Sequence, residues 1–292
     1  MEAPANSHRI GDVTVTRIPE KTLKGFAPEK LYPEWRTRVV GRHEREMPGV
    51  CWDDRHETLV LHSHSWLVHT GRHTVLIDAG IGNDKTRKLP MFDHLREPFL
   101  QHLAAAGCQP ADVDYVLLTH LHIDHVGWNT RLVEGRWVPT FPNARYVFSR
   151  AEDEQFSGPG GRERPNYELY EDSVRPVVEA GQAQMLSPGG GEFLDGFVFH
   201  PTPGHSVDHL SISLTSRGET AFFAGDVMHL PIQVAAPALN SMFSADPTRG
   251  EASRRWALEY AAEHDATVFT SHFPGSSLGR VIRQGDGFRW EF

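Results

Sequence analysis

Thr119-His120-Leu121-His122-Ile123-Asp124-His125 is the stretch on which the reading of this chain turns. It places three imidazoles and a carboxylate within six positions, the donor types that hold zinc and its borderline neighbours. The run before it, Val113-Asp114-Tyr115-Val116-Leu117-Leu118, is β-branched and aromatic and reads as a buried strand. Ligands clustered where a strand breaks into a loop are how an α/β scaffold presents a reactive centre. Histidine is abundant, at 18 of 292 residues, so coincidence needs a number. With roughly 6% per position for four specified residues, a random match somewhere in the chain is about a 1-in-250 event.

The same device recurs downstream. His205 follows Phe197-Val198-Phe199 at a tight Thr202-Pro203-Gly204 turn. Ala221-Phe222-Phe223-Ala224-Gly225-Asp226 is a second apolar run ending in a carboxylate, and Thr267-Val268-Phe269-Thr270-Ser271-His272 a third ending in an imidazole. Strand ends carrying His or Asp can converge at one edge of a sheet. Seven ligands are too many for one four-coordinate zinc. They suit two ions about 3.5–4 Å apart that share one carboxylate.

The ordered pattern of His-x-His-x-Asp-His, Pro203-Gly204-His205, Gly225-Asp226 and His272, with Ile77-Asp78-Ala79-Gly80 upstream, resembles the metallo-β-lactamase superfamily from about residue 59 onward. The resemblance implies an αββα sandwich, two mixed sheets packed face to face with helices outside. Carried over by residue, it implies His120, His122 and His205 on a first metal, Asp124, His125 and His272 on a second, and Asp226 as the bridge. It implies that Asp78 orients the ligands from behind. True β-lactamases of the family lack the bridging aspartate, so antibiotic hydrolysis is not the expected role. The segment Asp226-Val227-Met228-His229-Leu230-Pro231-Ile232-Gln233 is similar to the branch holding methyl parathion hydrolase and the quorum-quenching lactonases. Two departures stand out. His229 occupies the place where many acyl-homoserine lactonases carry tyrosine, and Trp128 follows Gly127 where many relatives carry a second glycine. The indole is expected to line the pocket.

Composition narrows the function classes. Hydrophobic residues make up 39% and charged residues 23%, as in a soluble globular protein. A net charge of −9 argues against a nucleic-acid surface, which needs clustered Lys and Arg. Cys51 and Cys108 are too few for a disulfide framework and read as buried thiols. Residues 1–8 show neither a basic n-region nor an apolar h-region, and no apolar run approaches the ~20 residues that span a bilayer. A cytoplasmic protein without a membrane partner is the expectation.

No linker divides the chain, so residues 1–292 read as one domain, with 1–58 an N-terminal strand plus arm and 59–292 the catalytic core. The arm from Lys21 to His56 carries Phe26, Tyr32, Trp35 and Trp52 without a clean period. It reads either as a loosely structured arm or as a homodimer contact or pocket wall. Strands are predicted at 59–70, 73–78 and 145–149, and helices at 94–106, 150–156, 167–180 and from the Asp246 N-cap to about Glu263. His62, His64 and His69 alternate within a strand and read as surface or satisfied side chains. Ser157-Gly158-Pro159-Gly160-Gly161-Arg162 lacks the Lys-Ser/Thr of a phosphate cradle and reads as a surface loop or lid.

Two divalent ions, zinc before Mn, Fe or Co, bridging a hydroxide would open a carboxylic ester or lactone such as an acyl-homoserine lactone. Asp124 is the candidate proton donor to the leaving alkoxide, Asp226 the bridge that sets the metal spacing, and His229 the candidate substrate-facing donor. Trp128, Met228 and Leu230, beside the ligands in sequence, are expected to receive the acyl chain. The alternative substrate is a phosphotriester. An iron-dependent redox enzyme and a non-catalytic metal-binding protein stand further off, since no flavin-binding segment is visible and all seven ligands are present. No Gly-x-Ser-x-Gly element or Cys-His pair indicates covalent catalysis.

Overall fold

The computed structural model describes residues 6–39, 49–194 and 196–292. Residues 1–5, the middle of the arm at 40–48 and residue 195 lie outside the described residues. The chain forms two compact units, Met1–Lys21 with Ser63–Pro188 and Thr22–His62 with Gly189–Phe292.

The strands of the first sheet are β1 Ser7–Ile10, β2 Val13–Phe26, β3 Trp52–Asp53, β4 Thr58–His69, β5 Thr74–Ile77, β6 Tyr115–Leu117, β9 Arg145–Ser149 and β10 Ala183–Leu186, with a separate hairpin of β7 Thr130–Val133 and β8 Arg136–Pro139. Their order is β1-β2-β4-β5-β6-β9-β10, with β3 beside β4. The sheet is mixed. β4 runs antiparallel to β5, whereas β5, β6, β9 and β10 are parallel neighbours. In β6, Val116 and Leu117 are fully buried, as a strand enclosed by parallel partners requires. In the first unit, helices α3 Phe99–Ala105 and α5 Arg175–Glu179 carry Phe99, Leu103 and Val177 into the core of Val116, Leu118, Tyr146 and Phe148, against which Phe156 of α4 Arg150–Ser157 also packs. Helix α4 starts where the Ser149 hydroxyl accepts hydrogen bonds from Ala151 N (3.0 Å) and Glu152 N (3.4 Å).

The predicted helix over 94–106 is shorter than its apolar pattern. Pro98 stands at the N-cap of α3, and His94 adopts a left-handed φ of 45°, so the turn before Phe99 cannot be helical. The predicted helix over 167–180 begins instead as a π-helical turn, Tyr170–Val174, that runs into α5.

The second unit holds β11 Gly191–Glu192, β12 Phe197–Pro201, β13 Leu210–Ser216, β14 Glu219–Phe223, β15 Thr267–Phe269, β16 Leu278–Gln284 and β17 Gly287–Glu291 in sequence order across one sheet. All its pairings are antiparallel except β14 with β15. Helix α7, Pro247–Glu263, starts at the Asp246 cap as predicted and buries Gly250, Ser253, Arg254, Ala257, Leu258 and Ala261 on one face. The arm is ordered where it is described. Its one-turn helices α1 Pro28–Leu31 and α2 Trp35–Arg38 place Tyr32 (0% exposed) and Trp35 (5%) in stacked contact inside the second unit. Both cysteines are free, buried thiols.

Candidate metal centre

In the first unit, β6 ends at Leu117 and the ligand loop begins two residues later. Asp78 leaves the end of β5 with a left-handed φ of 56°, unusual for a residue with a Cβ. The conformation aims its carboxylate at the loop. Asp78 Oδ1 accepts from Thr119 N at 2.8 Å, and Oδ2 faces His125 Nδ1 at 2.8 Å. The Thr119 hydroxyl lies 3.0 Å from Asp78 Oδ2 and 3.0 Å from His120 Nδ1. With both Nδ1 atoms engaged, His120 and His125 present Nε2 as their ligand atoms. The ring of His120 lies 4.5 Å from that of His122 and 4.1 Å from that of His125, and Asp124 Oδ1 is 3.8 Å from His125 Nε2. His120, His122, Asp124 and His125 are thus brought together, with the Asp78 carboxylate beside Thr119 and His125.

In the second unit, the turn after β12 presents His205. Gly204 has φ 129°, and a Cβ there would stand 2.1 Å from Gly250 N, so only glycine lets this turn rest on the first turn of α7. Asp226, after β14, is almost fully buried and gathers imidazoles. Its carboxylate lies 3.3 Å from His205 Nε2, 3.3 Å from His229 Nε2 and 3.1 Å from His272 Nε2. His205, Asp226 and His229 offer ligand atoms that all fall within 4.8 Å of one another.

His272 is held from behind by its ring, and His229 by its backbone. His272 Nδ1 donates to the His62 carbonyl at 2.8 Å, and His62 N donates back to the His272 carbonyl at 2.9 Å. The histidine alternation of β4 therefore serves the site through backbone atoms. His229 N donates to Gln233 Oε1 at 2.7 Å, an oxygen that also accepts from Tyr32 Oη at 3.1 Å. The His229 ring lies parallel to His272 at 5.6 Å and beside Phe243 at 6.0 Å. Burial pushes its pKa below the ordinary histidine value, against the pull of Asp226.

His209 carries no liganding signal in the sequence, yet it orients the bridge candidate. Asp226 N donates to His209 Nε2 at 2.9 Å. That nitrogen must therefore be the acceptor, so His209 Nδ1 carries the proton and donates to Thr202 Oγ1 at 2.8 Å. The only hint was its spacing four residues after His205.

Two expectations are corrected. Trp128 does not line a pocket: it is 4% exposed, stacks on Phe99 at 5.2 Å and donates its indole N–H to Glu20 at 2.7 Å. Met228 and Leu230 are also fully buried rather than open to an acyl chain, Met228 in the core beneath α7. A large apolar side chain next to a ligand in sequence faces the opposite way when the turn reverses the chain.

The metallo-β-lactamase superfamily profile matches residues 58–272, most of the chain. The chain belongs to the metallo-β-lactamase superfamily. It is 29% identical over 185 residues to the N-acyl homoserine lactonase AttM of Agrobacterium fabrum, a match that covers 60% of this chain and 64% of AttM. It is 28% identical over 285 residues to a probable metallo-hydrolase of Mycobacterium tuberculosis, covering 87% and 85%. Among solved structures, a hydrolase of the superfamily, AbOPH, superposes with a TM-score of 0.79 at 25% identity over 97% of this chain and 95% of its own. The dizinc quorum-quenching lactonase AidC shares the fold with a TM-score of 0.73 at 20% identity, over 98% and 96%. This superfamily member therefore has the metallo-β-lactamase fold of mixed sheets flanked by helices, and its His and Asp groups are of the kind that hold metal. No described helix is long and apolar enough to cross a membrane.

Proposed function

We propose that this metallo-hydrolase opens carboxylic esters, with lactones of the acyl-homoserine type as its preferred substrates. The residues that would hold two divalent ions, zinc first, are His120, His122, Asp124 and His125 of the first unit and His205, Asp226 and His272 of the second. One observation carries the reading: the Nε2 atoms of two proposed ligands, His205 and His272, lie 3.3 and 3.1 Å from the single buried carboxylate of Asp226. Donors placed 2.0–2.2 Å from one cation at tetrahedral angles sit roughly 3.3 Å apart, so the spacing suits ligands around a metal. Bound there, divalent ions supply Lewis-acid polarisation of the substrate carbonyl and a water acidic enough to react at neutral pH.

The chain's own groups do the rest. Asp78, through Thr119 and His125, keeps the ligand imidazoles in one tautomer and one orientation. His209 fixes the backbone amide of Asp226. Asp124 would take the proton released by the attacking water and hand it to the alkoxide as the ring C–O bond breaks, so the product leaves as a neutral alcohol. His229, clamped by Gln233, donates its ring N–H to the carbonyl oxygen as negative charge develops there. The lactonase relatives support the substrate class.

A second reading rests on His229 and on the Asp226–Gln233 segment, which is similar to methyl parathion hydrolase and suits a phosphotriester. The test is kcat/KM of the zinc-loaded enzyme against acyl-homoserine lactones and methyl parathion side by side. A lactone value at or above ~10⁴ M⁻¹s⁻¹ with slow triester turnover is expected. The reverse ranking would replace the lactone reading with the triester one.

A further inference from the structure

We infer that Glu20, on β2, is a positioning residue that sets the geometry of the His120–His125 ligand loop through Trp128. The inference rests on the reading above that this loop holds metal.

Glu20 is 5% exposed, and its carboxylate is enclosed by four donors. Oε2 accepts from Ser63 Oγ at 2.9 Å and Ile81 N at 2.7 Å; Oε1 accepts from Gly82 N at 2.9 Å and Trp128 Nε1 at 2.7 Å. Two donors on each oxygen satisfy the carboxylate's lone pairs, against burial that pushes its pKa up. All four partners are neutral. A buried carboxylate without a cation is a costly way to fill a core, and an apolar side chain of like size would do that more cheaply. The four donors point instead to a tether.

What the tether holds is the floor of the ligand loop. Residues 79–80 and 125–128 are joined by three backbone hydrogen bonds: Ala79 N to the His125 carbonyl (2.7 Å), Gly127 N to the Gly80 carbonyl (2.7 Å) and Trp128 N to the Ala79 carbonyl (2.6 Å). The approach is closer than side chains allow. A Cβ on Gly127 would stand 1.7 Å from the Ile81 carbonyl oxygen, one on Gly82 2.7 Å from the Gly127 carbonyl, and one on Gly80 2.4 Å from Glu20 Oε2. Glu20 grips both sides of this seam, Ile81 and Gly82 on one and Trp128 on the other. The seam carries Asp78 at its unfavourable φ of 56°, and such a conformation persists only where its surroundings over-determine it. Asp78 in turn holds His125 and, through Thr119, His120. The indole that departs from the family pattern thus gives Glu20 a handle three residues from His125.

The test uses the full chain. Glu20→Gln replaces one acceptor oxygen with an NH₂ that faces two donors, Trp128→Phe keeps the stack on Phe99 but removes the N–H, and Val177→Ala removes core volume while leaving every hydrogen bond of the seam in place. Zinc affinity by chelator competition, the visible spectrum of the cobalt-substituted protein, and kcat and KM are compared with wild type. We expect the first two variants to weaken zinc binding about tenfold or more, as loss of outer partners does, to alter the cobalt bands, and to lower kcat more than KM changes. Val177→Ala should lower the melting temperature and leave zinc affinity and the cobalt spectrum as they are. Folded Glu20→Gln or Trp128→Phe protein with wild-type zinc affinity and cobalt bands overturns the inference. If Glu20→Gln does not fold, Trp128→Phe decides alone. If the wild type itself takes up no zinc, the ligand assignment falls and this inference with it. If it binds zinc and the variants bind it equally, only this inference falls.

Discussion

At the scale of single residues, Asp226 concentrates the argument. Asp226→Ala should abolish turnover and remove most bound metal while circular dichroism stays near wild type, because the core is large enough to fold without an ion. Near-normal turnover with full metal content would refute the ligand assignment. Asp124→Asn tests a proton rather than a bond to metal: kcat should fall by 10²-fold or more with KM little changed, and an unaltered kcat ends that role. The candidate ligands could be named from the sequence because their chemistry is written in residue type and order. His209 was not, since its partner is a backbone amide that every residue owns. Trp128 and Met228 were misplaced for a related reason. Neighbourhood in sequence says nothing of which side of a tight turn a side chain takes.

Elements were legible to the degree that local signals set them. Helix α7 and strand β9 stand where predicted, because an N-cap with proline at N1 and a Tyr-Val-Phe run are local instructions. Helix α3 lost its first turn to Pro98, and the helix over 167–180 opened into a π-turn, a distortion no periodicity announces. Two substitutions weigh such local terms. Ser149→Ala should destabilise by about 1 kcal/mol through loss of the α4 cap, read as a lower midpoint in urea; an unchanged midpoint would mean that the cap contributes nothing. Gly204→Ala should cost more than 1 kcal/mol and also weaken zinc binding, because the added carbon meets the backbone of Gly250 and must displace the turn bearing His205. Loss of stability with metal affinity intact would show that turn to be independent of the site.

At the scale of the whole molecule, one buried charge makes stability depend on pH. Lys85 is fully buried. Its ammonium donates to Thr130 Oγ1 at 2.6 Å and the Asp172 carbonyl at 3.0 Å, and lies 3.6 Å from the Trp137 ring centre. Burial pushes its pKa down from 10.5 to about 7; Asp172 opposes that shift and Arg87 adds to it. Between these two values the unfolded chain keeps a proton that the folded chain has released, so this group makes stability rise with pH across that window and adds no further change below about 7, where both states are protonated. The urea midpoint should increase from pH 7 to 9, and Lys85→Met should flatten the increase. A wild-type midpoint equally flat over that range would place the lysine's pKa near its ordinary value.

The arm has a practical corollary for anyone cutting the gene. A fragment drawn to the family-matched span, 58–272, would retain every proposed ligand. It would also discard Tyr32, whose hydroxyl shares Gln233 with the His229 amide, and the closing hairpin whose Val281, Phe288 and Trp290 pack on the Phe273 cluster. Such a fragment keeps the whole motif and loses what keeps it in place. Library designs, fusions and trimmed expression clones are better bounded by the packing than by the motif, with both ends of this chain left intact.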